Sequence, residues 1–460
     1  LILSEEIRVV GALLFGLSKD LQHIVTTAEI ADQGALGEPV LSQANKTALI
    51  QYTSGSTGDP KGVVLTHANL LANIRAMGEA LEAGSSDVFV SWLPLYHDMG
   101  LIGAWLGSLY YGVHTIIMPP LAFLADPSRW LRVIHEHRAT LSAAPNFAYE
   151  LCCKNIRKEQ IEGLDLGSLR LLVNGAEPVS AQTIQKFTDA FEPYGFRPQM
   201  MGPVYGLAEN SVGLAFPPLG RKPPVDLVDR ELLSTEGRAK PATKGDSTAL
   251  AIVACGRPIP HNQIRIVDDA GRELPDRHEG RIQFQCPSAT AGYYQNEEKT
   301  KKLFDNGWLD TGDRGYLYKG DIHITGRVKD IIIKAGRNIY PQEMEELVGE
   351  IEGVRKGCIA AVASADPRTG TEKLVLVAET YIDNEQEMAA LQEKISEACN
   401  QRLDVAPDVV ELVPPRTVPK TSSGKIRRAA TRELYEKDQL VRRGSGLWLQ
   451  LVRLWFAGLG

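Results

Sequence analysis

The segment TSGSTGDPKG, residues 53–62, combines hydroxyl side chains, glycines and one lysine in a single short stretch. Because Gly55 and Gly58 lack side chains, backbone N–H groups can close around an anion, and the hydroxyls add donors. Lys61 adds a point charge at the rim, after a Pro60 that stiffens the backbone. The segment predicts a loop that binds a polyphosphate, ATP in the first place, although a solvated turn can have the same composition. No Gly-Lys-Ser/Thr follows at the Walker spacing, so we do not expect a P-loop kinase or GTPase.

Five further constellations contain residues that suit nucleotide chemistry. They are LPLYHDMGL (93–101), NGAEP (174–178), YGLAE (205–209), WLDTGD (308–313), and GRVKD (326–330) paired with PKTSSGK (419–425). Within them, His97 can lie at a pocket mouth, Glu209 offers a hard oxygen ligand for Mg²⁺, and Asp313 can accept hydrogen bonds from ribose hydroxyls. Lys425, in a Ser-Gly turn, can reach charge that develops on a phosphate. Taken singly, each segment is also compatible with an ordinary turn or a solvated charge.

The elements that must position these residues alternate between strands and helices up to about residue 216. Strands are predicted at 49–52, 63–65, 87–93, 114–118 and 169–173, with helices at 69–82 and after an N-cap at Ser180. This order predicts an α/β fold with a mostly parallel sheet covered on both faces. Residues 217–250 are rich in Pro, Lys, Arg, Gly and Ser, and we expect this connection to be functional or mobile. A small antiparallel unit follows at 263–285, and a compact α+β unit begins near 326.

Composition limits the class of protein. The chain has 460 residues, is 43% hydrophobic and 23% charged, and carries a net charge of −7, which indicates a soluble enzyme-like protein and not a nucleic-acid binder. Six cysteines without a CxxC pair favour free thiols in a reducing compartment, and we expect a cytoplasmic location. His135 and His137 have no second ligand pair nearby, so no metal site is predicted there.

The two ends of the chain carry separate expectations. It opens with Leu1 and has no visible signal peptide, so we interpret it as a fragment whose large domain lacks its N-terminal part. The apolar, aromatic segment 447–459 is too short to span a bilayer. We expect it to pack on its own protein or on a following domain, with an interfacial membrane helix as the less favoured alternative.

Together and in this order, the strings TSGSTGDPKG, YGLAE, WLDTGD, GRVKD and PKTSSGK resemble the adenylate-forming superfamily, from about residue 48 to 432. The resemblance implies layered parallel sheets with helices in an AMP-binding large domain at 1–325, a mobile α+β small domain at 326–435, and an amphipathic tail or linker at 436–460. It also implies two half-reactions. A carboxylic acid attacks the α-phosphorus of ATP, with Mg²⁺ as cofactor, and a thiol then takes the acyl group.

The resemblance also implies roles for individual residues. Those expected on the β- and γ-phosphates are Thr53, Ser54, Gly55, Ser56, Thr57, Gly58 and Lys61. Those expected around adenine are Gly175, Ala176, Glu177, Tyr205 and Gly206. Asp313 and Arg327 would bind the ribose, and Glu209 would hold Mg²⁺. The catalytic candidates are Glu209, His97 and Lys425. Lys329 occupies the hinge position about which the small domain rotates.

One departure and two further features point to a branch of the superfamily. Ala208 stands where many relatives have a threonine that contacts the α-phosphate. The YGLAE form, the string GRNIYPQEMEE (336–346) and the connection 217–250 resemble fatty acyl-AMP ligases, in which an insertion restrains domain movement and disfavours transfer to coenzyme A. The expected partners are therefore a fatty acid and the phosphopantetheine arm of an acyl carrier protein. A long-chain fatty acyl-CoA ligase and a non-catalytic nucleotide- or acyl-binding module stay open as alternatives.

Overall fold

The computed structural model describes residues 2–5, 8, 21–31, 41–53, 60–334, 337–365, 372–421 and 424–441. By its internal contacts the chain divides into two units, Leu1–Gln43 and Ala44–Gly460. In the first unit, strand β1 (Ile2–Leu3) runs parallel to β2 (Val25–Thr26), which leads into helix α1 (Thr27–Ala31). The second unit contains every predicted site residue.

The second unit begins with a hairpin and a parallel sheet surrounded by helices. In chain order the strands and longer helices are β3 (Thr47–Thr53), β4 (Lys61–Thr66), α2 (His67–Leu81), β5 (Val88–Ser91), a π-helical segment (Met99–Leu106) that continues as α3 (Gly107–Tyr111), β6 (His114–Ile117), α4 (Pro120–Ala125), α5 (Ser128–Glu136), β7 (Leu141–Ala144), α6 (Asn146–Asn155), β8 (Leu171–Asn174), α7 (Ala181–Phe191), β9 (Met201–Pro203), β10 (Tyr205–Gly206) and β11 (Gly213–Phe216).

The predicted parallel sheet is present, with strand order β6-β5-β7-β8-β9. Its central strands are short apolar runs, which is typical of a sheet covered on both faces. Trp130 of α5, Tyr149 of α6 and Phe187 of α7 pack into the core of this region. As predicted, the Ser180 side chain caps α7 by accepting a hydrogen bond from Thr183 N. The α/β class is therefore confirmed.

The two strands beside the phosphate loop differ from the alternating pattern. β3 and β4 pair with each other in antiparallel orientation, with Thr53 opposite Lys61, and do not join the parallel sheet. A short loop can return a chain directly to its antiparallel neighbour, whereas a parallel pair needs a crossover of about a dozen residues or more. Thr53 and Lys61, which flank the predicted phosphate loop in the sequence, are therefore held opposite each other.

A second group of elements is mainly antiparallel. It contains β12 (Val225–Val228), α8 (Arg230–Glu236), β13 (Leu250–Val253), β14 (Arg257–Pro258), β15 (Gln263–Val267), β16 (Gly280–Gln285), α9 (Glu297–Leu303), β17 (Phe304–Asp305), β18 (Trp308–Tyr318) and β19 (Asp321–Arg327). Strands β15, β16, β18 and β17 form a sheet in that order, and β19 pairs with β18. The antiparallel unit expected at 263–285 is part of this sheet.

The connection 217–250 has more regular structure than its composition suggests. β12 pairs with β13, and Asp229 caps α8 by accepting a hydrogen bond from Leu232 N. Val228 and Leu233 are fully buried in a small core that also contains Tyr340 from the predicted small domain. A few well-placed apolar residues are enough to fold a segment whose overall composition is polar. We call residues 217–250 the insertion.

The C-terminal part contains β20 (Ile332–Lys334), β21 (Arg337–Ile339), α10 (Pro341–Gly349), β22 (Val354–Ala365), β23 (Glu372–Thr380), α11 (Glu385–Leu403), β24 (Val409–Val413) and α12 (Arg428–Glu436). β22 and β23 are antiparallel, and β24 runs parallel to β23. Helices α10 and α11 close a separate core around Met344, Leu376 and Ile395. This is the α+β unit that the sequence predicts, while its limits at 326 and 435 stay a prediction.

Some expectations lie at or beyond the edge of what the structure describes. The tail 447–459 is outside the described residues, as are Ser54, Gly55, Ser56, Thr57 and Gly58 of the loop. No helix among the described residues is long and apolar enough to cross a bilayer. All six cysteines are free, as expected from their spacing.

Candidate active site

A cleft of about 2530 Å³ collects most of the predicted site residues. Its walls include Thr53, Lys61, His97, Ala176, Glu177, Tyr205, Gly206, Glu209, Asp313, Arg327, Lys329 and Lys425. These residues come from separate parts of the chain, and Lys329 and Lys425 belong to the predicted small domain. The structure therefore brings together side chains that the sequence connects only by motif order.

The hairpin places Lys61 beside Glu209 through a tyrosine. The Tyr293 hydroxyl donates to Glu209 Oε1 at 2.7 Å, and Lys61 Nζ donates to the same hydroxyl at 3.4 Å. Burial lowers the pKa of Lys61, while the negative charge of Glu209 opposes this effect. A cation on the first residue of β4, which follows the predicted phosphate loop in the sequence, and a carboxylate are thus joined through one hydroxyl.

The predicted ribose site is an interconnected triad. The Tyr205 hydroxyl donates to Asp313 Oδ2 at 2.6 Å, and Arg327 Nε lies 3.4 Å from Asp313 Oδ1. Burial raises the pKa of Asp313, against the lowering influence of Arg327 and of the Tyr205 hydrogen bond. The negative charge of Asp313 is the main cause that raises the pKa of Arg327. Tyr205 is therefore held by its hydroxyl, with its ring fixed at the cleft wall.

The segment expected around adenine has two constrained glycines. A Cβ on Gly175 would lie 2.6 Å from Val204 Cγ2, and one on Gly206 would lie 1.8 Å from Val212 O. Ala176 adopts a left-handed conformation with φ of 71°. Gly175 itself is not among the residues that line the cleft. The backbone here is shaped so closely that larger residues at the glycine positions would displace it.

Glu177 has a structural contact beside its predicted role. Its Oε1 accepts a hydrogen bond from Phe147 N at 2.6 Å, in the first turn of α6. Burial raises the pKa of Glu177, although the Phe147 hydrogen bond and the charge of Lys425 act in the opposite direction. The carboxylate therefore satisfies a helix N-terminus while it lines the cleft.

His97 and Asp98 form a close pair. His97 Nδ1 lies 2.6 Å from Asp98 Oδ1, which also accepts a hydrogen bond from Met99 N at 2.7 Å. Burial alone would raise the pKa of Asp98, but the hydrogen bond and charge of His97, together with the charge of Lys425, lower it. Asp98 is thus an ionised neighbour of Lys425 that motif reasoning did not include among the site residues.

Lys425 projects from a turn of the small domain into this environment. The turn is closed by Thr421, whose N–H donates to Lys425 O at 2.8 Å and whose Oγ1 accepts from Lys425 N at 3.0 Å. Burial is the main cause that lowers the pKa of Lys425, and Arg327 adds to it, whereas Asp98 and Glu177 oppose it. With Asp313, which also opposes the lowering, four charged side chains outside the Lys425 turn act on this one ammonium group.

Arg428 connects this turn to the predicted hinge. It donates to Asp330 Oδ2 at 2.7 Å and to both carboxylate oxygens of Glu345, at 2.8 and 2.7 Å. Asp330 directly follows Lys329, so a single ion pair joins the predicted hinge segment to helix α12, and the bidentate pair with Glu345 joins α12 to α10.

The apolar end of the cleft has an aromatic wall. Trp92 stacks on Phe123 with ring centroids 4.0 Å apart and meets Phe147 edge-on at 6.1 Å. Trp92, Met99 and Phe147 all line the cleft. Met201, by contrast, is fully buried in the core of the parallel sheet and does not reach the cleft.

Tyr293 is the main functional candidate that motif reasoning missed. Its sequence context, a glycine followed by two tyrosines, gives no sign of chemistry, and its partners Lys61 and Glu209 are remote in sequence. Only the pairing of the 290–294 segment with β4 shows the connection. A search for aromatic residues after glycine would have found it among many others.

The side chains at the site can also be compared with the ligands that a metal ion requires. Among the described residues, no group of three or more His, Cys, Asp or Glu side chains could hold one. A single carboxylate such as Glu209 still fits Mg²⁺, which is often held by one or two carboxylates together with phosphate oxygens and water. The residues present therefore suit a magnesium ion that arrives with a nucleotide.

Comparison with known proteins agrees with this geometry. The AMP-binding enzyme family model matches residues 9–294, and the model of the AMP-binding enzyme C-terminal domain matches residues 336–432. The chain is 36% identical over 430 residues to a long-chain-fatty-acid–AMP ligase, FadD26, of Mycobacterium marinum, covering 88% of this chain and 72% of that protein. It is 37% identical over 404 residues to a medium-chain-fatty-acid–[acyl-carrier-protein] ligase, TtuA, of Teredinibacter turnerae, covering 84% and 62%.

A solved structure from studies of fatty acyl-adenylate ligases of E. coli and L. pneumophila superposes with a TM-score of 0.86 at 33% identity. The match covers 95% of this chain and 78% of that one. Sequence motifs, fold and site geometry therefore lead to one classification: the chain belongs to the AMP-binding enzyme family, the adenylate-forming ligases, and is similar within it to fatty acyl-AMP ligases.

Proposed function

We propose that this protein activates a fatty acid with ATP, giving an acyl-adenylate and pyrophosphate, and then transfers the acyl group to the phosphopantetheine thiol of an acyl carrier protein. The observation that carries the proposal is the position of Lys425. This residue of the small domain lies within the electrostatic reach of Asp98, Glu177, Asp313 and Arg327 in one cleft. Such an arrangement suits a reaction in which two anions must meet.

In the first step a carboxylate oxygen forms a bond to the α-phosphorus, and the bond from that phosphorus to the pyrophosphate oxygen breaks. Lys61 would hold the outer phosphates, and Asp313 with Arg327 would hold the ribose. Lys425 would offset the repulsion between the carboxylate and the α-phosphate. Magnesium held by Glu209 would supply further positive charge on the phosphates. The aromatic wall around Trp92 and Phe147 would bind the acyl chain.

In the second step a thiol sulfur attacks the acyl carbonyl and AMP leaves. The acceptor is argued from the insertion. Arg230 of α8 forms an ion pair with Glu343 of α10, and Arg337 Nη2 lies 3.9 Å from Glu231 Oε1. Tyr340 packs in the core of the insertion and donates to Glu279 Oε1 at 2.9 Å. These contacts restrain the small domain and favour a carrier-bound thiol over free coenzyme A as the acceptor.

Fatty-acid-dependent ATP–pyrophosphate exchange tests the first step. We expect exchange with a panel of fatty acids, and we expect Lys425→Ala to lower it by about 10²- to 10³-fold, as for other preorganised charged groups. Lys437→Ala is the matched control, because among the described residues Lys437 pairs only with Glu433, at the exposed C-terminal end of helix α12. That variant should keep its exchange rate.

The alternatives give different results. The absence of exchange with every acid tested would favour a non-catalytic binding module. Exchange followed by rapid acyl-CoA formation, with no preference for a carrier protein, would favour a long-chain fatty acyl-CoA ligase. A panel that includes aromatic acids also tests the assignment of a fatty acid as substrate.

A further inference from the structure

Tyr293 lies between two side chains that act on the phosphates in the proposed function. Its hydroxyl donates to Glu209 Oε1 at 2.7 Å and accepts from Lys61 Nζ at 3.4 Å. The Lys61 ammonium also lies 4.6 Å from the centroid of the Tyr293 ring. One residue thus contacts both the predicted metal ligand and the predicted phosphate lysine, by a hydrogen bond to each and by its ring face to the lysine.

The backbone around Tyr293 fixes this position from both sides. Tyr294 N donates to Gly62 O at 2.7 Å, and Val64 N donates to Gly292 O at 3.1 Å, so the segment pairs with β4 next to Lys61. Thr290 N donates to Glu209 O at 2.8 Å, which joins the same segment to the Glu209 turn. The 290–294 segment therefore fastens two otherwise separate parts of the site to each other.

The chemistry of the three groups decides which one donates and which one accepts in each hydrogen bond. A lysine ammonium can only donate and an ionised carboxylate can only accept, so a neutral phenol is suited to lie between them. An ordinary phenol, with a pKa of about 10, is protonated at neutral pH and can therefore donate to Glu209. Within the described residues, the second carboxylate oxygen of Glu209 has no hydrogen-bond partner. It remains available to a ligand.

We propose that Tyr293 is a positioning residue that fixes Glu209 and Lys61 in the arrangement that receives magnesium and the phosphates of ATP. The inference rests on the proposed function, because it assigns the same roles to these two residues. Without the hydroxyl, Glu209 would lose the donor that orients it, while Lys61 would keep the ring face but lose its acceptor. Magnesium-assisted nucleotide binding is then the property most affected.

The test is Tyr293→Phe in the full chain, with ATP affinity measured by titration calorimetry in the presence and absence of magnesium chloride. We expect the gain in ATP affinity that magnesium brings to fall by about tenfold, as for the loss of one charge-assisted hydrogen bond. Tyr294→Phe is the matched control, because it removes the neighbouring hydroxyl, which contacts only Gln295 among the described residues. It should retain the full magnesium effect.

Two outcomes of this titration decide whether Tyr293 is a positioning residue. An equal magnesium effect in Tyr293→Phe and in the unsubstituted protein would overturn the positioning role. A smaller effect together with an unchanged melting temperature supports it, since a merely structural role would lower the melting temperature. Binding is measured without a fatty acid, so a failure of acid-dependent exchange would count against the proposed function and not against this inference.

A double-mutant cycle makes the test sharper. If Tyr293 acts through Glu209, then Tyr293→Phe combined with Glu209→Gln should lose little more of the magnesium effect than Glu209→Gln alone. Additive losses would show that the hydroxyl acts independently of Glu209 and would contradict the proposed arrangement.

Discussion

At the residue scale, the protonation of Lys425 is set by charges from other motifs. Burial and Arg327 lower its pKa, and Asp98, Glu177 and Asp313 raise it. Lys425 can offset negative charge only while it is protonated. The adenylation activity of the protein should therefore be lost as the pH rises, at a pH below the ordinary titration range of lysine.

Asp98→Asn should move that alkaline limit to lower pH. Asp98 stabilises the charged form of Lys425, so its removal lowers the pKa of the lysine further, and activity falls earlier as the pH rises. The pH profile of kcat/KM for adenylation checks the direction of the shift. Asp189→Asn, on the exposed face of α7, is the control, and an unmoved limit in Asp98→Asn would contradict the assignment.

At the scale of elements, the insertion acts through helix α8. The helix begins at an Asp229 cap and buries Leu233, and it presents Arg230 to Glu343 of α10. Arg230 also donates to Thr248 O at 2.7 Å, which fixes its side chain within the insertion. The ion pair is therefore formed between two preorganised elements and not between two mobile side chains.

Arg230→Ala should favour transfer to coenzyme A. If the ion pair contributes about 1.4 kcal/mol to docking, its loss raises the population of the rotated state about tenfold. Acyl-CoA formation should then rise by a similar factor, while ATP–pyrophosphate exchange changes by less than about twofold. Arg238→Ala, which breaks an exposed pair with Glu236 inside the insertion, is the control. If acyl-CoA formation did not rise, the insertion would have no role in the choice of acceptor.

At the scale of the whole molecule, the proposed function implies that the small domain moves relative to the cleft between the two half-reactions. Asp330 N donates to Arg327 O at 3.0 Å, and Val328 N donates to Gly312 O at 3.0 Å. Lys329, between them, uses no backbone N–H in the hydrogen bonds of the described residues. Rotation at Lys329 must break the turn bonds that Asp330 N and Ile331 N donate to Arg327 O, whereas the bond from Val328 N to Gly312 O lies before this residue and can be kept.

Lys329→Pro should separate the half-reactions. Proline fixes φ and restricts the preceding residue, so rotation at this point is hindered while the present arrangement is retained. We expect ATP–pyrophosphate exchange to persist and acyl transfer to fall by more than about tenfold. Lys329→Ala controls for the loss of the side-chain charge and should retain transfer. If Lys329→Pro lowered both half-reactions equally, the hinge would not lie at Lys329.

Much of the site could be predicted because its residues belong to contiguous motifs. Glu209, Asp313, Arg327 and Lys425 are recognisable by the short strings around them, and the structure places all four at one cleft. Tyr293 could not be found in this way, because its function depends on β4, which is remote in sequence. The insertion was recognised as unusual, but its fold rests on a few buried apolar residues that its polar composition conceals.

The sequence by itself determined the family, the order of the motifs and the chemistry of each side chain, because these depend on residue type and local spacing. Only the tertiary structure decided which groups share a dielectric environment: Asp98 with Lys425, Tyr293 with Glu209, and Arg230 with Glu343. Electrostatic and hydrogen-bond energies fall steeply with distance in space, and distance along the chain does not fix them. The pKa shifts and the restraint of the small domain arise from that proximity.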